Sequence, residues 1–231
     1  MRRGMKILCV SDMIDPLVYS NSIKKRFADV DMILGAGDLS LDYLDFIVSS
    51  LNKPMFYVFG NHHVPERPHI PMLDGADGSL DGNVWEDSHS HVGSRVRREE
   101  GLTVAGLGGS MRYNKGPNQF SELGMCLEIA KLLPALFLNR LLRGRFLDIL
   151  LTHAPPAGIH DKPDRCHRGF RAFLWFIRKF KPRYLVHGHI HLYDLSDVRR
   201  TRWLQTEIIN AYGHYVIDTA DTAQTEVPRS E

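Results

Sequence analysis

The chain reads as short apolar runs, each closed by polar or ligand-type residues, with helical spacing between them. Met5 to Val10 is the first run and ends in Ser11-Asp12. Asp31 to Leu34 runs into Gly35-Ala36-Gly37-Asp38, and Met55 to Phe59 into Gly60-Asn61-His62-His63. Leu102 to Leu107 closes in Gly108-Gly109-Ser110, and Phe146 to Leu151 in Thr152-His153. Tyr184 to Val186 leads to His187-Gly188-His189-Ile190-His191. Such runs, apolar throughout rather than alternating, predict strands buried on both faces.

The intervening segments carry helix signals. Ser20 or Asn21 can cap a short helix from Ile23 to Phe27. Ser40 caps a helix from Leu41 to Leu51, with Leu41, Leu44, Val48 and Leu51 at helical spacing and Lys53-Pro54 as its stop. A longer pattern runs from Ser121 to Leu133, is expected to break at Pro134, and resumes to Leu142 before Gly144. Phe170, Phe173, Leu174, Ile177 and Phe180 give the apolar face of a last helix, with Arg171, Arg178 and Lys179 outside it. Trp203 to Asp218 predicts two short strands around Asn210-Ala211-Tyr212-Gly213.

From Val64 to about Glu100 the pattern dissolves into prolines and Asp-Gly turns, predicting a long functional loop that holds His69, His89 and His91. No repeat or linker splits the chain. The expectation is one α/β domain over residues 1–220, with a polar tail over 221–231.

Composition narrows the class. The chain has 231 residues, enough for one sizeable core, with 43% hydrophobic and 24% charged residues, as in a soluble globular protein. Lys+Arg number 29 against 27 Asp+Glu, so bulk charge selects no partner. Cys9, Cys126 and Cys166 are far apart, which argues against a disulfide framework or a structural zinc finger; Cys9 reads as packing. Neither a signal-peptide pattern nor an apolar run of ~20 residues is present, so the expectation is a cytoplasmic protein off the membrane. Basic clusters at 24–26, 95–98, 140–145, 178–183 and 199–202 would track nucleic acid if aligned. Their acidic neighbours and amphipathic placement favour solvated faces. Oligomeric state is not legible.

The chemistry sits just after the strands. His189 and His191 are two apart, so on extended backbone both imidazoles point the same way. With Asp12, Asp38, Asn61, His62 and His153 they form a mixed nitrogen and oxygen set, outside the strand ends where α/β folds hold ligands. Such a set suits manganese, iron or zinc better than calcium or magnesium. It offers more ligands than one ion needs, which suggests two ions sharing a carboxylate.

In order and in spacing, Asp12, Gly37-Asp38, Gly60-Asn61-His62, Thr152-His153 and Gly188-His189-Ile190-His191 resemble the calcineurin-like metallophosphoesterases. The resemblance implies a four-layer αββα sandwich of two mixed sheets and a dinuclear centre of two divalent ions. Asp38 would bridge the ions, Asn61, His153 and His189 would complete one site, and Asp12 and His191 the other. His62, beside Asn61, would bind phosphate oxygen and help protonate the leaving group. The implied activity is hydrolysis of a phosphomonoester, a phosphodiester or a nucleotide by a metal-bridging hydroxide. A nuclease, or a scaffold or protein-interaction module with weakened catalysis, are the alternatives.

Three departures bear on that choice. Ile14 stands where relatives carry a histidine ligand; Asp15 is a replacement to test, and packing is the plain reading of Ile14. Leu41 stands where many relatives have an acid that orients the catalytic histidine, with Asp42 one further on as a first-turn helix acid. His63 replaces an acid. Gly108-Gly109-Ser110 and the 64–100 loop are expected near the substrate.

Overall fold

The computed structural model describes residues 4–62, 90–194 and 196–220. A four-stranded sheet is ordered β12-β1-β2-β3, from β1 (Lys6–Ser11), β2 (Met32–Gly35), β3 (Met55–Tyr57) and β12 (Gly213–Asp218). A six-stranded sheet is ordered β10-β11-β9-β8-β5-β4, from β4 (Val96–Glu99), β5 (Leu102–Leu107), β8 (Ile149–Thr152), β9 (Tyr184–His187), β10 (Arg200–Trp203) and β11 (Thr206–Asn210), and β6 (Ser110–Met111) pairs separately with β7 (Gln119–Phe120). In each sheet the neighbours within the central block run parallel, and antiparallel pairing is confined to edge strands. All central strands of a sheet therefore end on the same side, which is where the ligand-type residues lie.

Period-two alternation builds the layers. Ile7, Cys9, Met32, Leu34 and Phe56 face Val104, Ile149, Leu151, Val186 and Ile209 across the gap between the sheets. Their alternates Leu8, Val10 and Ile33 point outward, onto Ile23 of α1 (Ile23–Arg26) and Leu44 and Ile47 of α2 (Leu41–Leu51). On the other side Ala105, Leu107, Leu150, Leu185 and Ile208 meet α3 (Glu122–Arg143) and α4 (Arg171–Phe180). The result is the four-layer αββα sandwich, and it explains why the strands are apolar on both faces. Cys9 lies in the inter-sheet core, where burial pushes its thiol pKa up.

Two expectations change. The helix break at Pro134 does not occur: α3 is continuous, with Pro134 inside it. Pro134 and Ala130, whose carbonyl loses its i+4 partner, are both away from the buried face, while Ile129, Leu132 and Leu136 anchor both halves on the sheet. The freed carbonyl lies on the exposed side of the helix, open to solvent, so the proline is tolerated. The 64–100 segment is also not loop throughout, because Val96–Glu99 pairs with Leu102–Leu107 as the sheet's edge. A tight turn at Glu100 and Gly101, both at positive φ, joins these strands. His63, His69, His89 and the 221–231 tail lie outside the described residues. His91 is described, and its ring packs on Phe59 at 4.4 Å rather than among the ligand-type residues. Among the described residues no helix is long and apolar enough to cross a membrane.

Candidate metal centre

Three of the expected site residues sit in left-handed backbone: Asp12 at φ 61°, Asp38 at φ 53° and His189 at φ 67°. Asp and His are among the non-glycine residues that tolerate this region, at a cost of about 1–3 kcal/mol each. The turn ends each strand abruptly and aims the side chain across the sheet ends. Cross-ties hold the turns together: Asp12 N–H donates to the Gly37 carbonyl at 3.1 Å, His189 N–H to Asp12 Oδ2 at 2.9 Å, and Gly188 N–H to the His153 carbonyl at 3.0 Å.

His153 is fully buried at the middle of the group. Its Nδ1–H donates to the Ala36 carbonyl at 2.8 Å, so Nε2 carries the variable proton. That Nε2 lies 3.2 Å from Asp38 Oδ2 and 3.1 Å from Asn61 Oδ1. Asn61 is oriented by Tyr113, whose hydroxyl accepts from Asn61 Nδ2 at 3.1 Å. His189 Nε2–H donates to the Cys166 carbonyl at 2.7 Å, which leaves Nδ1 as its free ligand atom. One ligand atom each from Asp38, His153 and His189 lie within 4.8 Å of one another. Burial would lower the His153 pKa, but the Asp38 carboxylate outweighs it and holds the imidazole at about 9. Burial would likewise raise Asp38; His153 and the His62 N–H, 3.0 Å from Oδ1, hold it instead at about 2. Converging oxygen and nitrogen donors with only a proton between them are the donor set of a divalent cation.

A second pair stands beside this set. His191 Nε2 is 3.8 Å from Asp12 Oδ1. Its ring stacks on Tyr212 at 4.9 Å, and Nδ1 is 2.7 Å from the Tyr193 hydroxyl. Asp15 does not stand in for the missing histidine, because its carboxylate is bonded to His214 Nδ1 at 2.6 Å and to Leu17 N–H at 2.8 Å. Ile14 is not packed either: it is 49% exposed, so it neither ligates nor fills the core. Asp42 sits in the first turn of α2, as expected of a helix acid. His62 is exposed, with its backbone held by Asp38. Gly108-Gly109-Ser110 packs against the chain before Asn61, Gly109 N–H donating to the Phe59 carbonyl at 2.8 Å.

Sequence reasoning missed Tyr113, Tyr193, Tyr212 and the Ala36 and Cys166 carbonyls, which orient the ligand-type side chains. No local pattern announces them, since each arrives from another strand end or loop. Such outer partners typically matter about 10–100-fold in metal affinity. Glycine sets a similar limit at 188, where a Cβ would overlap Ser11 Oγ and Asp12 Oδ2. Gly188→Ala is expected to weaken manganese binding about 10–100-fold with little loss of folded protein, read by calorimetric titration beside circular dichroism.

The calcineurin-like phosphoesterase model matches residues 5–193, which contain every one of these ligand-type side chains. The chain belongs to that family. Members use divalent metal ions to hydrolyse phosphate esters, and the Asp38–His153–His189 set supplies ligands of the fitting type. The protein TT1561 of Thermus thermophilus shares the fold at TM-score 0.62 and 13% identity, covering 95% of this chain and 96% of that one. The calcineurin-like phosphoesterase YfkN of Bacillus subtilis overlaps at TM-score 0.42 and 13% identity, over 93% and 84% of the two chains. Vps29 of Entamoeba histolytica, complexed with zinc, overlaps at 0.40 and 13%, over 90% and 74%. At 13% identity the likeness to TT1561 is one of fold. No curated protein matches the sequence.

Proposed function

We propose that this member of the family is an active phosphoesterase of small phosphorylated molecules, working with divalent metal at the strand ends. The observation that carries the reading is the convergence of the Asp38, His153 and His189 ligand atoms within 4.8 Å, with each histidine's other nitrogen tied to a backbone carbonyl.

In this reading Asp38, Asn61, His153 and His189 would hold one ion, and Asp12, Asp38 and His191 would hold the other. The ions would polarise the phosphoryl oxygens and lower the pKa of water. The chain's own residues do the rest. Asp38 accepts the His62 N–H and so fixes the start of that residue's reach. His62 faces solvent, where its imidazole meets a phosphate oxygen and delivers a proton to the leaving oxygen. Tyr113 keeps Asn61 Oδ1 turned toward His153 rather than outward. With Ile14 offering no nitrogen, the Asp12–His191 site is the weaker one and fills last.

Hydrolysis of bis-p-nitrophenyl and p-nitrophenyl phosphate in added manganese, with metal counted by elemental analysis, tests this. Turnover that vanishes on chelation and falls about 10²–10⁴-fold in His62→Ala is the expected result. A protein that takes up metal yet turns over neither ester would move the scaffold reading to first place.

A further inference from the structure

A cavity of about 980 Å³ opens beside the metal centre, between the start of α3, the start of α4, the chain at 111–113 and the 157–169 loop. It is not lined by the ligand cluster itself but shares walls with it. Tyr113 lines the cavity and bonds Asn61, and Arg165 precedes Cys166, whose carbonyl accepts from His189.

Its walls are cationic. Arg112, Lys162, Arg165, Arg168 and Arg171 all line it. Two acids line it as well, but both carboxylates are engaged with backbone. Asp161 accepts from Gly158 and Gly169 N–H at 2.9 and 3.1 Å, and Glu122 from Arg171 and Ala172 N–H at 2.8 and 3.2 Å, which caps α4. Among the described residues no carboxylate pairs with any of the five cations. Arg112 reaches only the Gln119 carbonyl, at 3.3 Å, and the Lys162 ammonium lies 6.0 Å from the Tyr193 ring centroid.

Several cations elsewhere are spent on the protein. Arg200 and Arg202 pair with Glu207, Arg145 and Arg183 with Asp148, Arg199 donates to the Tyr212 and His214 carbonyls, and Arg178 covers Trp203. Parts of the 140–145, 178–183 and 199–202 clusters are thus tied down, whereas five cations with no carboxylate partner among the described residues line one concave site. Its volume is within the usual ~300–1,000 Å³ of small-ligand pockets.

We propose that this cavity is an anion subsite that takes a second phosphate, or a short polyphosphate chain, of the same small molecule whose ester is cleaved at the metal centre. The preferred substrate is then a phosphoester bearing at least one further phosphate, as in a nucleoside polyphosphate or a bisphosphate. Arginine forks suit phosphate oxygens in pairs, and several together discriminate against a lone monoester. The inference rests on the phosphoesterase reading, but the subsite can be tested without catalysis.

Tripolyphosphate titrated into the chelator-treated full chain is expected to bind saturably, more weakly as salt rises, and far more tightly than orthophosphate. Arg165→Ser/Arg168→Ser is expected to weaken it at least about tenfold, Arg165→Lys/Arg168→Lys to restore most of the loss, and Asp38→Asn to leave it in place. No saturable binding, or equal affinity in the serine variant, overturns the proposal. An oligonucleotide that binds more tightly than tripolyphosphate, increasingly with length, also overturns it and assigns the patch to nucleic acid. Tripolyphosphate binding without ester hydrolysis supports the subsite and removes only the catalytic reading.

Discussion

Asp38→Asn is expected to cut manganese-dependent hydrolysis of bis-p-nitrophenyl phosphate by at least about 10³-fold, roughly 4 kcal/mol of transition-state stabilisation. The substitution keeps the shape of the side chain, and asparagine tolerates the φ of 53° at least as well as aspartate. Only one oxygen remains. The His62 N–H, 3.0 Å from Oδ1, claims it, which turns the amide N–H₂ toward His153 Nε2, where the carboxylate Oδ2 now lies at 3.2 Å. A donor then faces a metal ligand, and the charge proposed to sit between two ions is gone. Metal content should fall below one per chain, with the melting temperature changed little. The chelated variant carries a second signature. Without the Asp38 carboxylate the main support of the His153 charge is gone, leaving only the Asp12 charge and the Ala36 carbonyl against burial, and its pKa should fall from about 9, visible in its imidazole proton resonances. Retention of more than a tenth of the activity would remove Asp38 from the machinery.

Stripped of metal, the protein is expected to be most stable near pH 6.5 and to weaken on both sides. On the acid side burial holds His160 at about 4 and His187 and His189 at about 3, against 6.5 in the unfolded chain. Below pH 6.5 the unfolded state takes up protons that the folded state refuses. Stability therefore falls with pH, by about 1.4 kcal/mol per pH unit for each such histidine. Asp12, raised by burial, takes up its proton at higher pH in the folded than in the unfolded chain and so opposes this fall. On the alkaline side His153 works in reverse. Its folded pKa of about 9 lies above 6.5, so its contribution is complete below pH 6.5 and is lost as pH rises to 9. Manganese replaces that proton. Melting curves from pH 4 to 9 should show the alkaline loss in chelator and its disappearance with metal. Titrations at pH 7.5 in buffers of different ionisation enthalpy should show a proton released on binding. A flat profile between pH 6.5 and 9 in chelator would refute the Asp38–His153 coupling.

The strand runs and the cap at Ser40 were legible because each depends on neighbours in sequence, whereas the cap expected at Ser20 or Asn21 falls on Ser22, which makes no side-chain cap bond. Ser40 and Ser121 accept from the N–H three residues on, as caps do, and the apolar faces of α2 and α4 follow their periodicity. Pro134 misled because a local rule ignores what lies beneath the helix. The edge strand at 96–99 was hidden because its charged sequence carries no apolar alternation, and only its partner Leu102–Leu107 defines it.

The candidate site divides in the same way. Asp12, Asp38, Asn61, His62, His153, His189 and His191 could be named from the sequence, since glycine-spaced polar residues after apolar runs are a local pattern. Their motif order also resembled a family that residues 5–193 prove to belong to. Composition, length and strand period thus determined an α/β fold, the four layers were implied by the family resemblance, and the order of the motifs pointed to the residues that meet at the strand ends. Which nitrogen of each imidazole is free, that Asp15 is spent on His214, that Ile14 stands in solvent, and that five cations face one cavity were decided by tertiary structure alone. Those facts depend on backbone carbonyls, rings and carboxylates that reach the site from distant parts of the chain. A hydrogen bond is set by distance and angle in space, which spacing along a sequence does not encode.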